Sequence, residues 1–270
     1  MPSPKYWTLH AIIVQTVNAN CKEEDGNIEI IREAYTFVYV CKQDTYIDIY
    51  NIRYRTMLLI IDNTADQPRA TYLPQLLACI RHAGHTYRLV RTIEDMHQVP
   101  VAHIEGVILS GSPVVIENAE FISHTSLFMT NVHAMMRHHC RQIPILGICF
   151  GCQLLTVVWG GTLGRFRRTI CRPVQVDFKM ASWLGKRVPT DVSAKTPQFC
   201  CRYYPKYVPP SFRALATASM EGHTVPCMMR HQSLPIYGCL FHPEHQEETQ
   251  WVLHAFLADC SRRMLSYGHR

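Results

Sequence analysis

From residue 57 to residue 159 the chain repeats one pattern, a short apolar run closed by turn-forming residues and then a stretch with helical spacing. This repeat restricts the fold more than any other feature. Residues 57–61 are apolar throughout and stop at Asp62 and Asn63, and residues 73–82 have helical spacing ending at Ala83 and Gly84. Residues 87–90 form the next expected strand and 106–109 a third, stopped by Ser110, Gly111, Ser112 and Pro113, with a helix expected over 126–140. Residues 144–148 make a fourth strand and 151–159 the helix after it. Strands separated by helices lie parallel, because a parallel neighbour is reached only through a crossover connection. The expected fold is therefore α/β, a mostly parallel sheet with helices on both faces. Such sheets hold ligands beyond the carboxyl ends of their strands, which is where Asp62, Gly111 and Cys149 fall.

Beyond Gly160 the pattern loosens. Residues 172–178 read as a strand, 208–215 as a turn at Pro209 and Pro210 leading into a strand, and 235–241 as a short apolar strand ending at His242 and Pro243. Residues 249–264 form a closing amphipathic helix. The first 55 residues differ in kind: 37–41 and 46–54 alternate residue by residue around Lys42, Gln43 and Asp44, which reads as a β-hairpin. The expected organisation is an N-terminal extension over 1–55, to which no function attaches, and one domain over 56–265.

Composition excludes several classes of function. No apolar run approaches the roughly 18 residues a membrane span needs, and residues 1–20 lack the apolar core of a secretory signal. A cytoplasmic protein is expected, with its 12 cysteines reduced, since they are spread along the chain rather than packed as in a small disulfide scaffold. The 27 Lys and Arg against 21 Asp and Glu give a net charge of +6, but the basic residues are scattered apart from Arg165, Arg167 and Arg168. No nucleic-acid partner is expected without a basic stripe or a reading motif. The 15 histidines fall in no metal-ligand spacing, and no phosphate-binding G-x-x-x-x-G-K-[ST] loop is present, so neither metal nor cofactor is expected.

The residues richest in chemistry are Gly147-Ile-Cys149-Phe-Gly151-Cys-Gln153, where a strand runs straight into a helix. A nucleophile at such a junction needs small residues two before and two after it, because the turn is too sharp for larger ones. The helix N-terminus favours the thiolate of Cys149. Lowering a thiol by two pKa units takes about 2.7 kcal/mol, more than a helix end supplies, so a nearby imidazole is required. Phe241-His242-Pro243-Glu244 is the best source: it closes a strand at the same sheet edge, and a carboxylate two residues on can orient the ring.

Together these stretches resemble the class I, or triad-type, glutamine amidotransferases, whose pattern is a G-x-C-x-G-x-Q elbow followed later by H-P-E. Leu109-Ser-Gly111-Ser112-Pro113 is similar to the family's oxyanion loop, Ile60-Ile-Asp62-Asn63 to its first strand, and residues 211–219 to the amidase domain of GMP synthases. The resemblance implies a flavodoxin-like sheet and a Cys149, His242, Glu244 triad. It further implies an oxyanion hole from Gly111, Ser112 and the Phe150 N–H, and Gln153 as a substrate contact. The implied reaction hydrolyses the side-chain amide of L-glutamine through a Cys149 γ-glutamyl thioester, with the ammonia passed to an acceptor on a partner synthetase subunit. This chain departs from the family at Cys152, where many members have His, at Ser112, where they have a second Gly, and at Leu240, where they have Gln. Phe199-Cys-Cys-Arg-Tyr-Tyr204 replaces a loop that often carries a Ser-His pair, which leaves open how the amino-acid end of the substrate is held.

Three other readings compete. Cys149-Phe-Gly-Cys152 is also a Cys-x-x-Cys and suits a thioredoxin-like redox role, but that reading explains neither the flanking glycines nor His-Pro-Glu. An amidase fold retained as a catalytically weak or inactive regulatory protein fits the altered 199–204 segment. A γ-glutamyl hydrolase-like peptidase shares the elbow and the His, whereas Gln153 and Glu244 favour glutamine.

Overall fold

The computed structural model describes residues 56–63, 72–91, 103–113 and 143–267, together with the backbone of strands within 12–54. The chain divides into two compact units, one within residues 1–56 and one over Met57–Tyr267. The first contains β1 (Ile12–Asn18), β2 (Lys22–Glu24), β3 (Asn27–Glu29), β4 (Ala34–Lys42) and β5 (Thr45–Tyr54). β2 and β3 pair with each other, and the other three form an antiparallel sheet in the order β1-β4-β5. The hairpin expected around Lys42 is the β4–β5 pair, with Lys42 opposite Thr45.

The second unit is built on an eight-stranded sheet. Its first strands are β6 (Met57–Ile61), β7 (Tyr87–Val90), β8 (Ile104–Leu109) and β9 (Ile145–Ile148), with α1 (Tyr72–His82) between β6 and β7 and α2 (Phe150–Val158) directly after β9. These bounds lie within one or two residues of those the apolar pattern predicts. The helix expected over 126–140 lies outside the described residues. Then come β10 (Thr162–Pro173), β11 (Val176–Phe178), β12 (Ser182–Trp183), β13 (Lys186–Arg187), β14 (Gln198–Tyr207), β15 (Phe212–Met220), β16 (His223–His231), β17 (Ile236–Cys239) and α3 (Trp251–Tyr267).

The sheet order is β11-β15-β16-β17-β9-β8-β6-β7. The five strands from β17 to β7 are parallel, and β16, β15 and β11 extend the sheet antiparallel. β8 and β9 are buried at every position, as strands covered on both faces are, and the one charged residue among them, Glu105, is paired with the buried His85 at 2.6 Å. Gly106 and Leu109 of β8 are three residues apart and so face opposite sides. A Cβ at Gly106 would strike the Cys260 sulfur of α3, while Leu109 packs on Gly151 of α2, so helices cover both faces.

The stretch 160–231 differs from the sequence reading. The strand expected over 172–178 is broken into the end of β10 and all of β11, and β16 has no counterpart among the expected strands. Residues 199–204 are the middle of a strand rather than a loop, because β14 pairs antiparallel with β10 in a ribbon separate from the main sheet. The ribbon exposes most of β10, which removes the apolar periodicity by which a strand is recognised.

The parallel topology brings the carboxyl ends of β6, β8, β9 and β17 to one edge. There the first turn of α2 folds back over β9 so closely that a Cβ on Gly147 would lie 2.5 Å from the Gly151 carbonyl oxygen, and one on Gly151 would run into the Leu109 carbonyl. Replacing Gly151 by Ala should therefore destabilise the unit by about 1–3 kcal/mol, the usual cost of overpacking. Urea denaturation of the two proteins checks this, and equal midpoints would refute the close approach.

Candidate active site

Cys149 sits in the turn between β9 and α2 with φ 49 and ψ −100, a conformation that L residues avoid. Such strain costs on the order of 1–3 kcal/mol and persists only where the surroundings impose it. Here the Cys149 N–H donates to the Cys239 carbonyl at 2.7 Å, and its carbonyl accepts the Gln153 N–H at 3.1 Å, so the residue is pinned to β17 on one side and to α2 on the other. Its thiol does not cap the helix. It is directed to the Cys200 carbonyl at 3.5 Å and to the imidazole of His242.

His242 follows β17 and is buried. Its Nδ1 lies 2.8 Å from Glu244 Oε1, which leaves Nε2 for the thiol. The His242 N–H donates to the Gln198 carbonyl at 2.8 Å, so β14 fixes the backbone of the base as well as receiving the thiol. The phenol ring of Tyr72, at the start of α1, stacks on the imidazole with ring centroids 3.9 Å apart and planes at 20°. Burial alone would favour neutral imidazole. The negative charges of Cys149 and Glu244, with the hydrogen bonds from both side chains, outweigh it and push the His242 pKa up to about 10. Among the described residues Glu244 Oε2 is buried without a hydrogen-bond partner, so none of them competes with His242 for this carboxylate.

The loop after β8 completes the arrangement. Gly111 backs onto both reactive groups: a Cβ there would lie 2.8 Å from His242 Cε1 and 3.6 Å from Cys149 Cβ. Only glycine leaves the imidazole its place. Asn63, just after β6, clamps this loop by donating its backbone N–H to Ser110 Oγ at 3.0 Å and its side-chain amide to the Ser110 carbonyl at 2.9 Å. Asp62 beside it is held by Arg91 at 2.9 Å.

All seven residues singled out from the sequence lie in the loops and turns at this edge or in the first turns of α2. Cys149, His242 and Glu244 form one connected cluster, Gly111 lies against it, Ser112 follows Gly111, and Phe150 begins the helix whose N-terminus faces the thiol. Gln153 is buried, and its side-chain amide donates to the Tyr203 carbonyl at 3.1 Å, so it grips β14. Cys152 turns into the core, where its sulfur would lie 2.9 Å from a Cβ on Gly238; burial, then the charges of Cys149 and Cys227, raise its thiol well above the ordinary range. It is a packing residue and no redox partner for Cys149. Sequence reasoning missed Tyr72, the clamping role of Asn63, and the carbonyls of Gln198, Cys200 and Tyr203. Backbone acceptors leave no trace in residue types, whereas Asn63 carried a visible signal as a polar residue closing a buried strand.

Against this geometry stand the comparisons with known proteins. The family model described as "Glutamine amidotransferase class-I" matches residues 60–259. The chain belongs to the class I glutamine amidotransferases and is an enzyme of that class. Among similar proteins, the glutamine-hydrolysing GMP synthase subunit of Pyrococcus furiosus is 27% identical over 208 residues, covering 76% of this chain and 98% of the relative. The corresponding GMP synthase subunit of Methanocaldococcus jannaschii is 28% identical over 210 residues, covering 76% and 97%. Among solved structures, a protein from Thermoplasma acidophilum described as a GMP synthase subunit superposes with a TM-score of 0.63 at 19% identity, over 80% of this chain and all of that one. A glutamine amidotransferase from Thermotoga maritima superposes with a TM-score of 0.52 at 12% identity, over 80% and 99%. These likenesses cover the sheet unit and establish the same fold. Among the described residues no helix is long and apolar enough to cross a membrane.

The raised pKa of His242 has a definite consequence for pH. Stability from its charged form is complete below the unfolded value near 6.5 and is lost as pH rises through about 10. NMR titration of the labelled imidazole should place its midpoint far above the ordinary range, and Glu244→Gln should move it down, since one of the two negative charges is gone. An unmoved midpoint would show that Glu244 does not set the charge of His242.

Proposed function

We propose that this enzyme hydrolyses the side-chain amide of L-glutamine at Cys149 and releases the ammonia to an acceptor on a partner synthetase subunit. The observation that supports this most strongly is the cluster itself, a thiol on a strained elbow hydrogen-bonded to a buried imidazole that a carboxylate holds at 2.8 Å. Cys149 Sγ attacks the amide carbon while His242 holds the proton. Backbone N–H groups at Phe150 and at the Gly111–Ser112 turn receive the oxyanion, a type of contact whose loss costs about 100-fold or more in rate. His242 then protonates the leaving nitrogen, ammonia departs, and the γ-glutamyl thioester remains. Water activated by neutral His242 attacks that thioester, yielding glutamate and restoring the thiol. Glu244 orients the ring and stabilises its charged form. Gln153, through its hold on β14, shapes the wall against which the substrate rests.

The acceptor lies on another protein in this reading, which draws support from the relatives being named as one subunit of a glutamine-hydrolysing GMP synthase. A synthetase of that kind is the partner we propose, with residues 1–55 contributing to the docking surface. One observation favours a second, partner-dependent reading: the thiol is hydrogen-bonded to the Cys200 carbonyl at 3.5 Å, a contact it must leave in order to attack. On that reading the isolated chain is a weak glutaminase, and docking releases Cys149 from β14.

An electrophilic glutamine analogue carrying a γ-diazoketone should label Cys149, as read by peptide mass spectrometry. Excess L-glutamine should block the adduct, His242→Ala should slow it by roughly 100-fold or more, and Cys149→Ser should abolish it. Labelling of Cys149 no faster than of the other 11 cysteines would remove the activated nucleophile from the isolated chain. Deleting residues 1–55 should weaken capture of the partner synthetase in a pull-down while leaving analogue labelling intact; undiminished capture would remove them from the docking surface.

A further inference from the structure

A second sulfur site adjoins the nucleophile. The register of the β10–β14 ribbon sets Cys171 directly opposite Cys200, and the two sulfurs lie 2.8 Å apart. That is within about 0.8 Å of the roughly 2.05 Å disulfide bond, and directly opposed residues of an antiparallel pair have Cα separations of about 4.5–5.5 Å, inside the span a disulfide bridges. Cys171 faces solvent while Cys200 is half-buried behind it. Cys201 is the obvious competitor, but it points to the other side of the strand and is buried, opposite Ile170. The hydroxyl of Tyr72 reaches both sulfurs, and the Gln198 side-chain amide reaches Cys171 Sγ at 4.0 Å.

We propose that Cys171 and Cys200 form a reversible redox site, a dithiol that peroxide closes to a disulfide and a thiol reductant reopens. The exposed Cys171 sulfur, as thiolate, attacks one oxygen of hydrogen peroxide. The O–O bond breaks, and the departing hydroxide with the thiol's proton makes one water, leaving Cys171 as a sulfenic acid. Cys200 then attacks that sulfur, the S–O bond breaks, and the second hydroxide leaves as water with the Cys200 proton. Two electrons pass from the two sulfurs to the peroxide, and the products are one disulfide and two waters.

The surroundings suit this order of events. Burial first, and then the hydrogen bond and negative charge of Cys171, push the Cys200 thiol up to about 12, while a hydrogen bond from Tyr72 works the other way. Oxidation of Cys171 to the neutral sulfenic acid removes that charge just when Cys200 must ionise to attack. Before oxidation Cys200 stays protonated, which protects the sulfur nearer the active site.

The bond would reach the reaction centre through β14. The Cys200 carbonyl receives the Cys149 thiol, the Gln198 carbonyl receives the His242 N–H, and the Tyr72 ring that contacts both sulfurs stacks on His242. Tethering β14 to β10 fixes the Cys200 carbonyl against the thiol, so the thiol is held in a hydrogen bond it must leave in order to attack. The disulfide itself does not depend on the amidase reading, but its effect on Cys149 rests on it.

The full-length reduced protein is treated with hydrogen peroxide, quenched with catalase, alkylated and mapped by mass spectrometry. The expected result is a peptide pair linked through Cys171 and Cys200 that dithiothreitol dissolves and that Cys171→Ser and Cys200→Ser both abolish. A link from Cys149 to Cys200, or oxidation of Cys171 to sulfinic acid with no link, would overturn the proposal. In the linked protein the γ-diazoketone should label Cys149 severalfold more slowly, with full recovery on reduction, and the same treatment of Cys171→Ser should leave labelling unchanged. Unchanged labelling of linked wild-type protein would overturn the coupling while leaving the redox site standing. Absence of labelling in the reduced protein would instead remove the activated nucleophile from the isolated chain and overturn the coupling, which rests on it.

Discussion

The site depends on one tight turn. Where β9 passes into α2 the chain reverses so sharply that Cys149 takes a positive φ, and the backbone on either side of it is too closely approached to admit a side chain. Gly147 and Gly151 are required because the first turn of α2 lies directly on β9 and on the end of β8. The strain is carried by the parallel sheet, whose core is buried on both faces and whose β17 fixes the Cys149 N–H. What the strain secures is position: the thiol stands beyond the sheet edge at a helix N-terminus, within reach of an imidazole from the neighbouring strand.

Charge is concentrated where water is excluded. His242 and Glu244 are both buried, and a buried imidazole would shed its proton if it stood alone. It is held charged because Glu244 and Cys149 both lie close, and the stacked Tyr72 ring and glycine at 111 leave it one orientation. Removing either Cys149 or Glu244 therefore alters the charge of His242 as well as its contacts.

β14 gives the site a second wall of unusual construction. A single strand offers three carbonyls to the nucleophile, the base and Gln153, at Cys200, Gln198 and Tyr203. It belongs to a solvent-exposed ribbon rather than to the main sheet. A reactive centre that rests partly on such a ribbon can respond to events on it. The exposed pair of sulfurs on that ribbon supplies one such event.

The sequence alone determined the parallel half of the sheet, because β6, β8 and β9 are covered on both faces and, apart from Glu105, are built of apolar residues and glycine. It also determined the elbow and the His-Pro-Glu tetrapeptide, since both are local: a sharp turn demands glycine at fixed offsets, and a carboxylate two residues from a histidine can reach its ring. In the antiparallel extension β11 and the start of β15 were legible, but β16 and the pairing of β10 with β14 were not, because partly exposed strands carry too little apolar periodicity. Only the tertiary structure placed Tyr72 on His242, the β14 carbonyls against the cluster, and Cys171 opposite Cys200. Those contacts join residues far apart in the chain, and register and backbone hydrogen bonding decide them rather than the identity of any single residue.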